Sequence, residues 1–266
     1  MKAVREVIRS DDGTVIGTLT GGTGPPLLLV HGGLLGLSRW SPLWERLATR
    51  FQVTALDRRG RGSSGDSPAY DVSREYQDVA AVARHVAQRA GCEVNVFGHS
   101  FGADCALGAA AGGAPMRRLA LYEPPGPSTV PSQWRERLGQ LIAADQPGAA
   151  VMSFLSDIIG LSPERIAALA SQPGTADVLD IASRTLVREA DAIAALDLPG
   201  LASNVDTPVL MLLGALSPSW AGEVTRTLSS ALRGAELVII PGHGHEGVDT
   251  AATEVADELA RFFVDA

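Results

Sequence analysis

Two β-like stretches open the chain, Val4–Arg9 and Thr14–Thr20, and Asp11-Asp12-Gly13 between them reads as a hairpin turn. After Pro25-Pro26 comes Leu27-Leu28-Leu29-Val30, a continuous apolar run of the kind expected of a strand buried on both faces. Further short strands are predicted at Gln52–Leu56, Glu93–Phe97, Leu119–Tyr122, Val209–Leu213 and Glu236–Ile240. Helical patterns alternate with them. Across Asp71–Gly91, the residues Val72, Tyr76, Val79, Val82, Val86 and Ala90 recur at helical spacing, and Gly91 reads as the C-terminal cap. A last helix carries Ala252, Val255, Leu259 and Phe262 on one face. Strands alternating with helices predict an α/β fold with a largely parallel sheet covered on both sides.

One segment breaks this rhythm. From Pro127 to Leu201 no strand is convincing, and three or four short helical patterns are punctuated by Pro147-Gly148, Ser162-Pro163 and Pro173-Gly174. A stretch that long and that patterned is neither a plain loop nor disorder. It is read as a helical cap over residues 127–201, inserted into a core domain made of residues 1–126 and 202–266. No internal repeat or low-complexity tract is present.

Composition narrows the function classes. At 266 residues and 45% hydrophobic content, the chain can bury a substantial core. Its 22 basic and 30 acidic residues leave a net charge of −8, which provides no electrostatic footprint for nucleic acid. The one basic cluster, Arg58, Arg59 and Arg61, is too short to alter that. Met1–Gly13 has charges every few residues and no apolar core, so it is not read as a secretory signal. No apolar run reaches the length of a membrane span. Cys92 and Cys105 form neither a disulfide framework nor a metal pattern, and Cys105 is expected as a buried structural thiol. The cytoplasm is therefore the default compartment, and a small-molecule substrate the expected partner, with no nucleic acid or membrane.

The chemistry concentrates in Val94-Asn95-Val96-Phe97-Gly98-His99-Ser100-Phe101-Gly102, a strand followed by Gly-x-Ser-x-Gly and then by helical sequence. A serine at so sharp a strand-to-helix turn needs a strained backbone with small flanking residues, and its hydroxyl then stands above the sheet near a helix N-terminus. Amide N–H groups there can stabilise an oxyanion. Near the C-terminus, Leu237–Ile240 leads into Pro241-Gly242-His243-Gly244-His245-Glu246. An imidazole in that loop can take the Ser100 proton and return it to a leaving group.

With these motifs the chain resembles the α/β-hydrolase superfamily. Leu28-Leu29-Val30-His31-Gly32-Gly33 is similar to its strand and oxyanion loop, and Asp57-Arg58-Arg59-Gly60-Arg61-Gly62-Ser63-Ser64 to its Asp-x-Arg-Gly-x-Gly-x-Ser turn. The resemblance implies an eight-stranded, mostly parallel sheet, Ser100 as nucleophile and an oxyanion hole from the backbone N–H groups of Gly33 and Phe101. It implies His245 as base by the pattern Pro-Gly-x-Gly-His, with His243 as rival. A His-x-His metal pair lacks further ligands nearby, and no cofactor is expected. His31 and Asp57 are read as structural, tying two loops together, and His99 as pointing away from the reaction.

The acid departs from the family pattern. Where Gly-x-Asp-Ser-Pro is usual, this chain has Gly214-Ala215-Leu216-Ser217-Pro218, and leucine can neither orient nor stabilise an imidazolium. Glu123, in Tyr122-Glu123-Pro124-Pro125 after the strand that follows the nucleophile helix, is the preferred substitute. Asp206, Asp249 or a simple Ser–His dyad are the alternatives. Trp134, Met152 and Phe154 from the cap, with Leu34, Leu35 and Trp220, are candidate pocket residues. Hydrolysis of a carboxylic ester, thioester or lactone through an acyl-Ser100 intermediate is the leading reading. A lyase, C–C-bond hydrolase or biosynthetic cyclase using Ser100 and His245 for proton transfer is the second. A ligand receptor on the same scaffold is the third.

Overall fold

The computed structural model describes residues 3–264. Eight strands form one sheet: β1 (Val4–Arg9), β2 (Val15–Gly22), β3 (Pro26–Val30), β4 (Gln52–Leu56), β5 (Val94–His99), β6 (Met116–Tyr122), β7 (Val209–Gly214) and β8 (Glu236–Ile240). Their order is β1-β2-β4-β3-β5-β6-β7-β8. The β1–β2 and β2–β4 pairings are antiparallel, and every pairing from β4 to β8 is parallel. The central strands β3, β5 and β7 are buried at every residue, which is why β3 and β7 read as continuous apolar runs. Strand β6 begins three residues earlier than its apolar pattern indicates. Met116–Arg118 belongs to the strand because it pairs with Val94 and Asn95 of β5, and Arg117 and Arg118 hide that pairing in the sequence.

Helices cover both faces of the sheet. They are α1 (Ser41–Ala48), α2 (Val72–Ala90), α3 (Phe101–Ala111), α4 (Ser132–Ala143), α5 (Pro147–Ser153), α6 (Pro163–Ala170), α7 (Thr175–Ala194), α8 (Leu198–Ala202), α9 (Ser219–Ala231), α10 (Gly247–Thr250) and α11 (Ala252–Val264). Alternate residues of β3 separate the two cores: Leu28 and Val30 pack with α2 and α3, while Leu27 and Leu29 pack with α1 and α11. The Asp71 carboxylate caps α2 by accepting from Ser73 N–H, and Gly91 closes it in the left-handed region at φ 69°. Helix α3 is buried almost all round, between the sheet and α2.

Between β6 and β7 the chain is helical, as expected, but its helices are not all short. Helix α7 runs for 20 residues, and α8 continues past position 201. The pattern breakers conceal this, because Pro173-Gly174 starts α7 rather than interrupting it. A π-helical turn, Phe154–Ile158, follows α5. Among the described residues no helix is long and apolar enough to cross a membrane.

Candidate active site

Ser100 sits between β5 and α3 at φ 55°, ψ −134°, a left-side conformation costly for a residue with a Cβ. Two glycines make the turn feasible. A Cβ on Gly98 would lie 2.6 Å from Ala103 Cα, and one on Gly102 would lie 2.3 Å from the carbonyl oxygens of Val30 and His31. The strain is held by pairing: Ser100 N–H donates to the Tyr122 carbonyl at 2.9 Å, and Ala103 N–H to the Ser100 carbonyl at 2.7 Å.

Glu123 follows β6 directly, also at positive φ (46°), with its carboxylate fully buried. Its Oε2 accepts from His245 Nδ1 at 2.7 Å. Oε1 accepts from Gly214 N–H at 2.6 Å and from the Ser217 hydroxyl. The Gly214–Pro218 segment, where a carboxylate was expected and leucine was found, thus supplies two donors to a carboxylate on the neighbouring strand. Leu216 itself points outward and is 71% exposed. The bond to Glu123 fixes the proton on Nδ1, so the lone pair of His245 is on Nε2. Ser100 and His245 line one cavity of about 370 Å³. Among the described residues no hydrogen bond joins Ser100 Oγ to the ring, a looseness common before substrate tightens a site.

The His245 ring is packed between two others. Trp220 meets it edge-on at 5.3 Å between centroids, and His99 lies 4.9 Å away. The expectation that His99 points away is corrected here. It lines the same cavity, and its Nε2 donates to the His245 carbonyl at 3.1 Å. Burial, then the neighbouring His245, holds the His99 pKa well below its ordinary value, so the ring stays neutral. The extended backbone of β5 directs alternate side chains to opposite faces, but the turn at Ser100 brings the end of the strand under the His245 loop. Tyr122 anchors that loop from below, its hydroxyl donating to the Gly244 carbonyl at 2.8 Å. His243 instead contacts Thr250 Oγ1 at 2.9 Å. Asp249 pairs with Arg39, and Asp206 lies near Arg233 on the surface.

Gly33 and Phe101 both border the space in front of Ser100. Phe101 is the first residue of α3, where helix geometry leaves the amide N–H without an internal acceptor. His31 Nε2 accepts from Arg58 N–H at 3.0 Å, and its Nδ1 donates to the Gly32 carbonyl at 2.9 Å. Burial, then the charges of Arg61 and Arg58, keeps this imidazole neutral. Asp57 Oδ1 accepts from Leu37 N–H, and Oδ2 from the N–H and hydroxyl of Ser63. Both side chains therefore spend their polar atoms on joining the oxyanion-type loop to the turn after β4.

The basic cluster of that turn is buried rather than exposed. Arg58 makes a two-pronged contact with Glu75 at 3.1 and 2.7 Å and reaches Glu189 on α7 at 2.8 Å. Arg61 also pairs with Glu189, and Arg59 with Asp78 at 2.7 and 2.8 Å. Burial opposes the charge on Arg58, but the carboxylates of Glu189 and Glu75 raise its pKa well above the ordinary value. Arg58 also donates to the Gly32 carbonyl at 3.1 Å, and its guanidinium lies 4.6 Å from the Phe101 ring centroid. Glu189 carried no motif signal, and Ser217 lay in the segment similar to Gly-x-Asp-Ser-Pro with no role read for it; both touch the site.

All six candidate pocket residues border the space around Ser100. Leu34, Leu35 and Met152 line the large cavity, Trp134 and Trp220 a smaller one, and Phe154 both.

Comparison with known proteins identifies the family of this fold. A family model described as "Alpha/beta hydrolase family" matches residues 27–258. Over 108 residues, 40% of this chain and 39% of the relative's length, the sequence is 38% identical to an N-formylmaleamate deformylase of Pseudomonas putida. An alpha/beta hydrolase from Sphaerobacter thermophilus superposes with a TM-score of 0.78 and 32% identity, covering 94% of this chain and 99% of its own. The enol-lactonase from Burkholderia xenovorans has the same fold, with a TM-score of 0.75 and 21% identity over 97% and 99% of the two chains. With its sheet order, its strained serine turn and a family match over nearly its whole length, the chain belongs to the alpha/beta hydrolase family.

Proposed function

We propose that Ser100, His245 and Glu123 form a catalytic triad that hydrolyses a carboxylic ester, thioester or lactone through an acyl-Ser100 intermediate. The observation that carries this reading is the 2.7 Å bond between Glu123 Oε2 and His245 Nδ1, in a ring that shares a cavity with Ser100. In the first step Ser100 Oγ attacks the acyl carbon while His245 Nε2 takes its proton, and Glu123 stabilises the imidazolium. The oxyanion lies against the amide N–H groups of Gly33 and Phe101. Collapse of the tetrahedral species expels the leaving group with the proton from Nε2. Water then repeats the sequence on the acyl-enzyme, and the helical segment from α4 to α7 acts as the cap that shapes the pocket.

The leucine at position 216 raises the weight of the rival proton-transfer chemistry, and Glu123 beside His245 supports the triad instead. The deformylase relative supports extending the acyl class to formyl groups on nitrogen. A fluorophosphonate probe tests the nucleophile. One adduct on the intact mass of the wild-type protein is expected, and none on Ser100→Ala. Folded wild-type protein that takes up no label would overturn the reading.

A further inference from the structure

The space in front of Ser100 is divided very unequally. The cavity that contains the His245 ring is about 370 Å³ and walled by apolar residues of α5 to α7, among them Val151, Leu155 and Val178. On the other side of Ser100 lies a second chamber of about 30 Å³, room for roughly two waters, which His245 does not line. Gly33, Ser100, Phe154 and Ile159 border both. The dividing wall is thus the π-helical turn that begins at Phe154.

Proton transfer decides which part of a substrate goes where. The leaving group collects its proton from His245 Nε2, so it departs on the side where that ring is exposed. The acyl substituent, attached to the same carbon, faces away from the imidazole and into the small chamber. We propose that the enzyme takes short, uncharged acyl groups, of two or three carbons, carried on a large apolar alcohol or thiol. The proposal rests on the triad assigned above.

Two further observations make the small chamber selective. Its indole walls are anchored at either end of the π turn: Trp134 Nε1 donates to Ser153 Oγ at 2.9 Å, and Trp220 Nε1 to the Ile158 carbonyl at 2.8 Å. Swinging either ring aside to admit a longer chain breaks a buried hydrogen bond. Among the described residues, the only ionic side chain on its wall is Glu189. Burial alone would raise its pKa, but the charges of Arg58 and Arg61 overcome this and hold it below the ordinary value. A carboxylate-bearing acyl group therefore meets another carboxylate, one to which both guanidiniums are already bonded.

A series of 2-naphthyl esters, with one leaving group and acyl chains from acetyl to octanoyl, tests this. The expected kcat/KM for acetate exceeds that for octanoate by at least about 100-fold. Ile193, buried on α7 at the small chamber and outside the triad, sets its depth. Ile193→Ala, or Leu186→Ala if that variant folds poorly, should shift the acetate-to-butyrate ratio about tenfold toward butyrate. Fluorophosphonate labelling of Ser100 runs alongside. Normal labelling with equal turnover of acetate and octanoate, or with an unchanged ratio in both variants, would overturn the chamber assignment and leave the triad standing. No labelling and no turnover would overturn both.

Discussion

Glu123 and Glu189 are both buried glutamates, 0% and 3% exposed, and both have their carboxylates bonded to nitrogen-bearing side chains. Their partners differ. Glu189 faces two guanidiniums, Arg58 and Arg61. That arrangement ties α7 to the turn after β4 and, through Arg58, to the Gly32 carbonyl and the Phe101 ring. Glu123 faces an imidazole, a group whose charge can change during a reaction cycle, and every other donor to it is neutral. Under the proposed mechanism, the same side chain is a clamp where its partner is a guanidinium and a working part where its partner exchanges a proton. Asp104 on α3 completes the comparison: it is fully buried, and neither carboxyl oxygen has a hydrogen-bond partner among the described residues.

The largest expected effect separates the first two. Glu123→Gln should lower the rate of 2-naphthyl acetate hydrolysis by about 10³–10⁴-fold with little change in the thermal midpoint, because it removes stabilisation of the imidazolium and leaves the loop bonds available. Near-wild-type turnover would make Glu123 a clamp like Glu189. Next in size is Glu189→Gln, which leaves Arg61 without a carboxylate in a buried site. Urea unfolding should show a loss of about 3–5 kcal/mol, while the folded protein keeps its rate of fluorophosphonate labelling within about tenfold. A loss of labelling of about 10³-fold, the size expected for turnover in Glu123→Gln, would end the distinction between the two.

The smallest effect tests the unpartnered case. Burial raises the Asp104 pKa well above its ordinary value, with the Arg58 charge pulling weakly the other way. The folded chain therefore retains a proton that the unfolded chain releases, so its contribution is fully present below the unfolded pKa of about 3.9 and is lost as pH rises through the folded value. Asp104→Asn should therefore stabilise the protein by about 1–2 kcal/mol near pH 7 and by almost nothing near pH 4. An equal gain at both pH values would show that shape rather than ionisation sets the cost.

Much of this site is legible in the chain because its signals are local. The serine turn depends on glycines two residues either side of Ser100, and the glycine-rich loop leading to His245 follows directly on a strand. Glu123 is visible because it ends a strand neighbouring that of the nucleophile. What stays hidden has its cause far along the chain. Glu189 lies 131 residues from Arg58, and Ser217 lies 94 residues from Glu123. His99 is misread for the same reason, since what turns it toward the site is the His245 loop, 146 residues away.

By itself the sequence determined the α/β architecture and singled out the serine turn, a candidate base and a preferred candidate acid. Those follow from periodicity and from the few residue types that a tight turn tolerates. Only the tertiary structure decided that Glu123 rather than Asp206 or Asp249 meets His245, that three arginines are buried, and that a π-helical turn splits the pocket. Each of these depends on which surfaces come together when the helical segment folds onto the sheet. Charge pairing and cavity shape are properties of that contact, and no spacing along a single chain encodes them directly.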